Sequence, residues 1–161
     1  MQIRPIQPED NPIVAQLIRD VLIEHNVPKV GTAYADVSLD FMYQAYNEPA
    51  SAYFVIISDE GKIIGGAGVA PLANGPAGVC ELQKMYFAPE ARGKGLGTQM
   101  MQACLDAARK FGYVKCYLET MPYMKAAQQL YLRSGFEYIE APMGDTGHSS
   151  CPVWMLKDLK V

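Results

Sequence analysis

The 161-residue chain has no apolar run long enough to span a bilayer; its longest apolar stretches are strand-sized. It also has no basic surplus. Fourteen Lys and Arg stand against 17 Asp and Glu, a formal net charge of -3. The first lack argues against a membrane protein, and the second against nucleic acid or an anionic membrane as a partner. The opening MQIRPIQPED has no apolar core segment and no cleavage site, so a signal peptide is not expected and a cytoplasmic location is. Cysteine is sparse. Cys80, Cys104, Cys116 and Cys151 match neither a zinc-binding spacing nor a C-x-x-C pair, so no metal is implied and core packing is the expected role. There are two histidines, His25 and His148, and one tryptophan, Trp154, which sits in an alternating strand and reads as core. No repeat, low-complexity tract or composition shift divides the chain, so residues 1–161 read as a single domain.

Half the residues are apolar, and Gly and Pro punctuate them regularly. Residues 3–6 read as a first strand. Asn11 and Pro12 then open a helix with Ile13, Val14, Leu17, Ile18, Val21 and Leu22 at helical spacing. Residues 39–46 suggest a shorter helix. Strands follow at 51–58 and 62–71, joined by the turn Asp59-Glu60-Gly61-Lys62, and a third lies at 79–88. A helix over 95–111 carries Leu96, Met100, Cys104, Ala108 and Phe111 along one stripe. A strand at 113–119, a helix at 122–134 closed by Gly135, and strands at 136–140 and 152–156 complete the chain. This order predicts an α/β, mixed α+β fold with helices on both faces of a mixed sheet.

The informative stretch is ELQKMYFAPEARGKGLG, residues 81–97, which runs from a strand through a Gly-rich loop directly into a helix. Free N–H groups and the macrodipole at a helix start favour an anion, and glycines allow close backbone approach. Arg92 and Lys94 add positive charge, so the loop reads as a pyrophosphate site. The Walker pattern is absent. The spacing of Gly93, Gly95 and Gly97 does not fit the dinucleotide fingerprint, and three strands precede the loop where one would be expected.

Arg92-Gly93-Lys94-Gly95-Leu96-Gly97 resembles the acetyl-CoA signature of the GNAT superfamily of N-acetyltransferases, Q/R-x-x-G-x-G/A. AAQQLYLRSGF, residues 126–136, resembles that family's second acyl-CoA motif, and the motif order agrees across roughly residues 52–140. The resemblance implies a central, mostly antiparallel sheet of six to seven strands and an acetyl-CoA site formed by Met85, Tyr86, Phe87, Arg92, Gly93, Lys94, Gly95, Leu96, Gly97 and Thr98. It also implies that the strand carrying Met85 splays from the one at 116–119. A bulge near Met85 would then aim a backbone N–H at the thioester carbonyl.

Further roles follow from the same resemblance. Tyr131 holds the family's tyrosine position and is the candidate general acid, with Tyr123 the alternative. Glu81 lies eleven residues before Arg92, matching a glutamate of the histone-acetylating branch, and is the candidate base, with a water chain as the other route. Glu119 and Tyr34 are candidate acceptor contacts. Thr120 reads rather as a helix cap, and His25, Asn26 and His148 lie in loops that border the acceptor region. The implied reaction is acetyl transfer to the primary amine of a small molecule by direct attack. The rival readings are a protein or peptide acceptor and a non-catalytic acyl-CoA sensor. Relatives often pair through their C-terminal strands, so a homodimer is one arrangement the resemblance allows. Acetyl-CoA, and not NAD, is expected to raise the melting temperature; at 100-fold excess over Kd the added stability is about 2.7 kcal/mol. Stabilisation by NAD alone would refute the reading of the loop.

Overall fold

The computed structural model describes residues 1–160. Seven strands form one sheet: β1 (Gln2–Pro5), β2 (Ala52–Ile57), β3 (Ile63–Pro71), β4 (Val79–Phe87), β5 (Lys115–Thr120), β6 (Glu137–Ile139) and β7 (Val153–Asp158), in the order β1-β2-β3-β4-β5-β7-β6. Every neighbouring pair is antiparallel except β4 and β5. The expected mixed, mostly antiparallel sheet is therefore present.

Four helices cover it: α1 (Asn11–Glu24), α2 (Met42–Tyr46), α3 (Leu96–Lys110) and α4 (Lys125–Arg133). The period-two alternation of β2 sorts them by face. Val55 packs with Val14, Ile18 and Leu22 of α1 and Met42 of α2. Its neighbour Ile56 packs with Met100 and Cys104 of α3 and Leu130 of α4. The stripe on α3 stops at Ala108, because Phe111 lies past the helix end, half exposed and edge-on to Tyr113. No helix among the described residues is long and apolar enough to cross a membrane.

Three local readings shift. Residues 39–46 divide into a 3-10 turn at Val37–Phe41 and the single α-turn of α2. The helix expected over 122–134 begins only at Lys125, since Pro122 lies in the turn before it. The cap of α1 is Asp10, one residue before the expected Asn11. Asn11 instead bridges α1 to α2, donating to Gln44 and accepting from the Tyr43 amide.

Asp10 is buried, accepting two bonds from the Arg4 guanidinium, at 2.7 and 3.1 Å, and one from the Gln7 amide at 2.8 Å. Burial alone would raise its pKa. Its three donors outweigh that and hold the carboxyl below the usual range. A lowered folded pKa gives stability that is present above the unfolded value and lost as pH falls through the folded one. Asp10→Asn is expected to cost about 2 kcal/mol at pH 7, the scale of a charge-assisted bond. The gap from the native protein should shrink below about pH 4, the ordinary carboxylate range; a gap that stays constant in denaturant titrations down to pH 3 would refute this.

Candidate active site

Strands β4 and β5 pair only at Val79–Lys115, Cys80–Cys116 and Glu81–Tyr117, then part. Beyond Glu81 the sheet opens into a wedge, with Leu82 to Phe87 along one wall and Leu118 to Thr120 on the other. A bulge enlarges it. Gly66 pairs with Tyr86 and Gly68 with Gln83, so Lys84 and Met85 together oppose Ala67. Lys84 takes φ +49°, a left-handed conformation that costs a non-glycine residue of order 1 kcal/mol.

Tyr53 holds that strain in place. Its hydroxyl donates to the Lys84 carbonyl at 2.8 Å. The ring reaches there because β3 has no side chains at Gly66 and Gly68; a Cβ on either would come within 2.6 Å of the Tyr53 ring or hydroxyl. Gly65 likewise makes room for Phe87. The glycines that weaken β3 as a strand are thus the space in which the bulge is clamped.

Two cavities meet in the wedge. The larger runs from Met85, Tyr86 and Phe87 past Arg92, Gly93 and Gly95 to Leu96, Gly97 and Thr98, with α4 as the far wall and His25 and Tyr123 at its rim. Gly93 and Gly95 have φ of +73° and +77°, and nothing lies within 4 Å of where a Cβ would stand on either. Gly97 packs close to Leu130, 3.1 Å from a built Cβ. Among the described residues, no amide from Gly93 to Thr98 donates a hydrogen bond within the chain. This bare arc of N–H groups at the start of α3 suits a diphosphate.

Arg92 lines the groove and has a further task beside the one its charge suggested. It donates to both oxygens of Glu24, at 2.7 and 2.9 Å, and to the Phe87 carbonyl. It therefore ties the loop to α1 and β4 with its charge matched. Lys94 projects outward and does not line the groove.

The second cavity is smaller and lies beneath the 30s turns and the 144–150 loop. Glu81 and Glu119 enter it from adjacent strands, and Met85, Tyr86, Met124 and Tyr131 line both cavities. Glu81 is 6% exposed; burial raises its pKa, the Gln83 amide donating to Oε1 at 2.6 Å works against that, and Glu119 raises it further. Glu119 accepts from Tyr117 at 2.6 Å and Thr146 at 2.5 Å. Every fully buried side-chain N or O among the described residues has a partner. The Tyr131 hydroxyl and Glu81 Oε2 have none in the chain, so both face open cavity. Tyr131 is 7% exposed, and burial raises its pKa.

Tyr34 stands apart from these groups. It lines neither cavity, and its ring lies beneath Lys29 and Arg19, at 5.2 and 5.9 Å. Thr32 and Ala33 of the same turn face the cavity instead. Thr120 is buried at the wall of the smaller cavity rather than capping a helix. Cys80, Cys104 and Cys116 are core, but Cys151 is half-buried and lines the smaller cavity. Trp154 is half-buried against the small Leu72, Val79 and Tyr117 cluster. Lys84 and Asp36, which the sequence did not single out, sit at the cavity as an ion pair with Nζ–Oδ2 at 3.0 Å. The signal for Lys84 was faint: one lysine in an otherwise apolar strand end.

A parted parallel strand pair, a clamped bulge and a Gly-lined helix start define the architecture of an acyl-CoA transferase. The sequence comparisons agree. The Acetyltransferase (GNAT) family profile matches residues 18–136. The Escherichia coli protein called uncharacterized N-acetyltransferase YjgM is 44% identical over 152 residues, covering 94% of this chain and 90% of its own. A GNAT-family acetyltransferase from Staphylococcus aureus Mu50 has the same fold, with TM-score 0.88 at 17% identity over 99% of each chain. So does a phosphinothricin acetyltransferase from Sinorhizobium meliloti solved with AcCoA, with TM-score 0.76 at 20% identity over 98% of this chain and 87% of its own. The chain belongs to the GNAT family and is an acyl-CoA-dependent N-acetyltransferase.

Tyr53→Phe isolates the clamp. Leaving the Lys84 carbonyl without its donor is expected to cost about 2 kcal/mol of unfolding free energy, measured by urea titration. A change below about 0.5 kcal/mol, the level of an ordinary surface substitution, would show that the bulge holds without the phenol.

Proposed function

We propose that the protein moves the acetyl group of acetyl-CoA to the primary amine of a small molecule by direct attack in a ternary complex. The observation that carries this reading is the meeting of the two cavities at Tyr131, with Glu81 facing the smaller one. Bound acetyl-CoA supplies an activated thioester carbonyl. The amides of Gly93 to Thr98 hold its diphosphate, and Met85 to Phe87 line its arm in the manner of an added strand. The bulge at Lys84 turns the Met85 backbone toward the carbonyl, where an N–H stabilises developing negative charge.

Glu81 Oε2 takes a proton from the incoming ammonium, directly or through one water, and its raised pKa makes it a stronger base than an exposed carboxylate. The amine then forms the C–N bond as the C–S bond breaks, Tyr131 gives its hydroxyl proton to the departing sulfur, and the second proton shed by the nitrogen as the cationic adduct becomes the amide restores the Tyr131 hydroxyl. Burial raises the pKa of the phenol, so it keeps its proton at neutral pH until the strongly basic thiolate departs. The 144–150 loop supports a small acceptor. It is pinned by Ser150 N–H to Gly31 O at 3.0 Å and Asp145 N–H to Ala73 O at 2.7 Å, and it brings His148 to the wall of the smaller cavity, which favours a compact acceptor over an extended peptide.

Tyr131→Phe is expected to lower kcat about 100-fold or more with a smaller change in the Kd for acetyl-CoA. Unchanged turnover would remove Tyr131 from the acid role. With Glu81 as base, kcat/KM falls on the acid side as pH drops through its raised pKa, and Glu81→Gln should abolish that limb together with most of the rate. If the limb survives in the variant, proton removal runs through water alone. Release of CoA against amines, amino acids and peptides decides the acceptor class, and turnover of peptides alone would sink the small-molecule reading.

A further inference from the structure

The polar groups of the acceptor cavity are sorted by sign. Glu81 and Glu119 accept hydrogen bonds only from neutral donors, and neither has a cationic partner among the described residues. The cations collect at another corner. Lys84, with its side chain 8% exposed, is 3.0 Å from Asp36 Oδ2. The His148 ring approaches the same carboxylate through Nε2, at 2.9 and 3.0 Å. Two basic groups thus share a single anion.

Both line the cavity, and each keeps donor capacity that Asp36 does not use. His148 Nδ1 has no partner in the chain and so faces open space, since every fully buried side-chain polar atom among the described residues is paired. An ammonium has three donors, and Asp36 takes one from Lys84. Lys84, His148 and the proposed base Glu81 all line this cavity. His148 itself is raised despite its burial, because Asp36 holds its charged form.

The arrangement is also held at some cost. Lys84 keeps a left-handed backbone that only glycine adopts without strain, and a nearly buried charge whose desolvation an apolar side chain would not incur. Asp36 comes from the 30s turns and His148 from the 144–150 loop, so the corner forms only when both loops have closed on the bulge.

We propose that Lys84 and His148 form a subsite for a carboxylate carried by the acceptor, so that the acceptor is a free amino acid. Its ammonium lies toward Glu81 and Glu119, and its carboxylate takes the unspent donors of Lys84 and the Nδ1–H of protonated His148. This rests on the small-molecule reading above. It narrows that reading and separates this protein from one that acetylates a protein N-terminus, which has no free carboxylate at that distance from its amine.

The test is a matched set of acceptors: L-amino acids with apolar and polar side chains, their carboxamides, and the corresponding decarboxylated amines, ranked by kcat/KM with acetyl-CoA held saturating. The amino acid should exceed its amide and its amine by about tenfold or more, the scale on which an unfilled polar subsite discriminates. The preference should weaken as pH rises and His148 loses its proton. His148→Gln and Lys84→Gln should each collapse the amino-acid-to-amide ratio toward one through KM. A ratio is read because it survives partial loss of folded protein, and His148→Gln leaves the bulge intact should Lys84→Gln not fold. An amide or amine used as well as the amino acid overturns the carboxylate subsite while leaving small-molecule acetylation standing. Turnover of peptides with none of the three sets overturns both.

Discussion

Everything in the active region depends on β4 being held in two places and released in a third. Its first three residues pair in parallel with β5, and its far side pairs with β3 along nearly its whole length. Between these constraints the strand must leave β5, and the bulge at Lys84 and Met85 steepens the departure. The Tyr53 hydroxyl on the Lys84 carbonyl makes that course a fixed feature rather than a slack one. Without it, a strained left-handed residue in mid-strand would relax toward ordinary pairing, and the wedge that holds both cavities would narrow.

The two cavities get their different chemistry from what surrounds the wedge. On the α3 side, a turn of glycines leaves a row of amides without acceptors and keeps side chains out of their way. That surface is electropositive: Arg92 is paired with Glu24, but Lys125 and Arg133 of α4 also line the groove, opposite the helix start. In the smaller cavity the walls are strand residues and two loops, and the polar groups are carboxylates, a lysine and a histidine. Burial makes each of those charges matter more than it would on the surface. Tyr131 stands where the two environments touch.

Much of this was legible along the chain. The strand and helix order follows from period-two and period-3.6 patterns with Gly and Pro at the breaks. The glycine loop at 93–97 announces itself because both the helix start and the conformational freedom are local properties. Glu81 and Tyr131 were reached through motif position, and the fold brings them to one junction despite their separation of fifty positions. Other readings moved because a local rule met a distant partner. Asn11 gave up the cap to Asp10, whose carboxylate is fixed by Arg4 from β1. Arg92 lines the groove as expected but also pairs with Glu24, 68 residues away. Tyr34, in a turn that does face the cavity, rotates its ring out to Arg19 and Lys29.

The sequence by itself determined which segments are strands and helices, where a glycine loop opens onto a helix start, and which family of chemistry follows, because periodicity, glycine conformation and the helix dipole all act within a few residues. Only the tertiary structure decided the smaller cavity. Asp36, Lys84, Glu119 and His148 lie in four separate segments, and no spacing along the chain relates them. Their meeting depends on the parting of two strands and the closure of two loops. A pairwise charge contact carries no signature in sequence until folding has set the distance between its members.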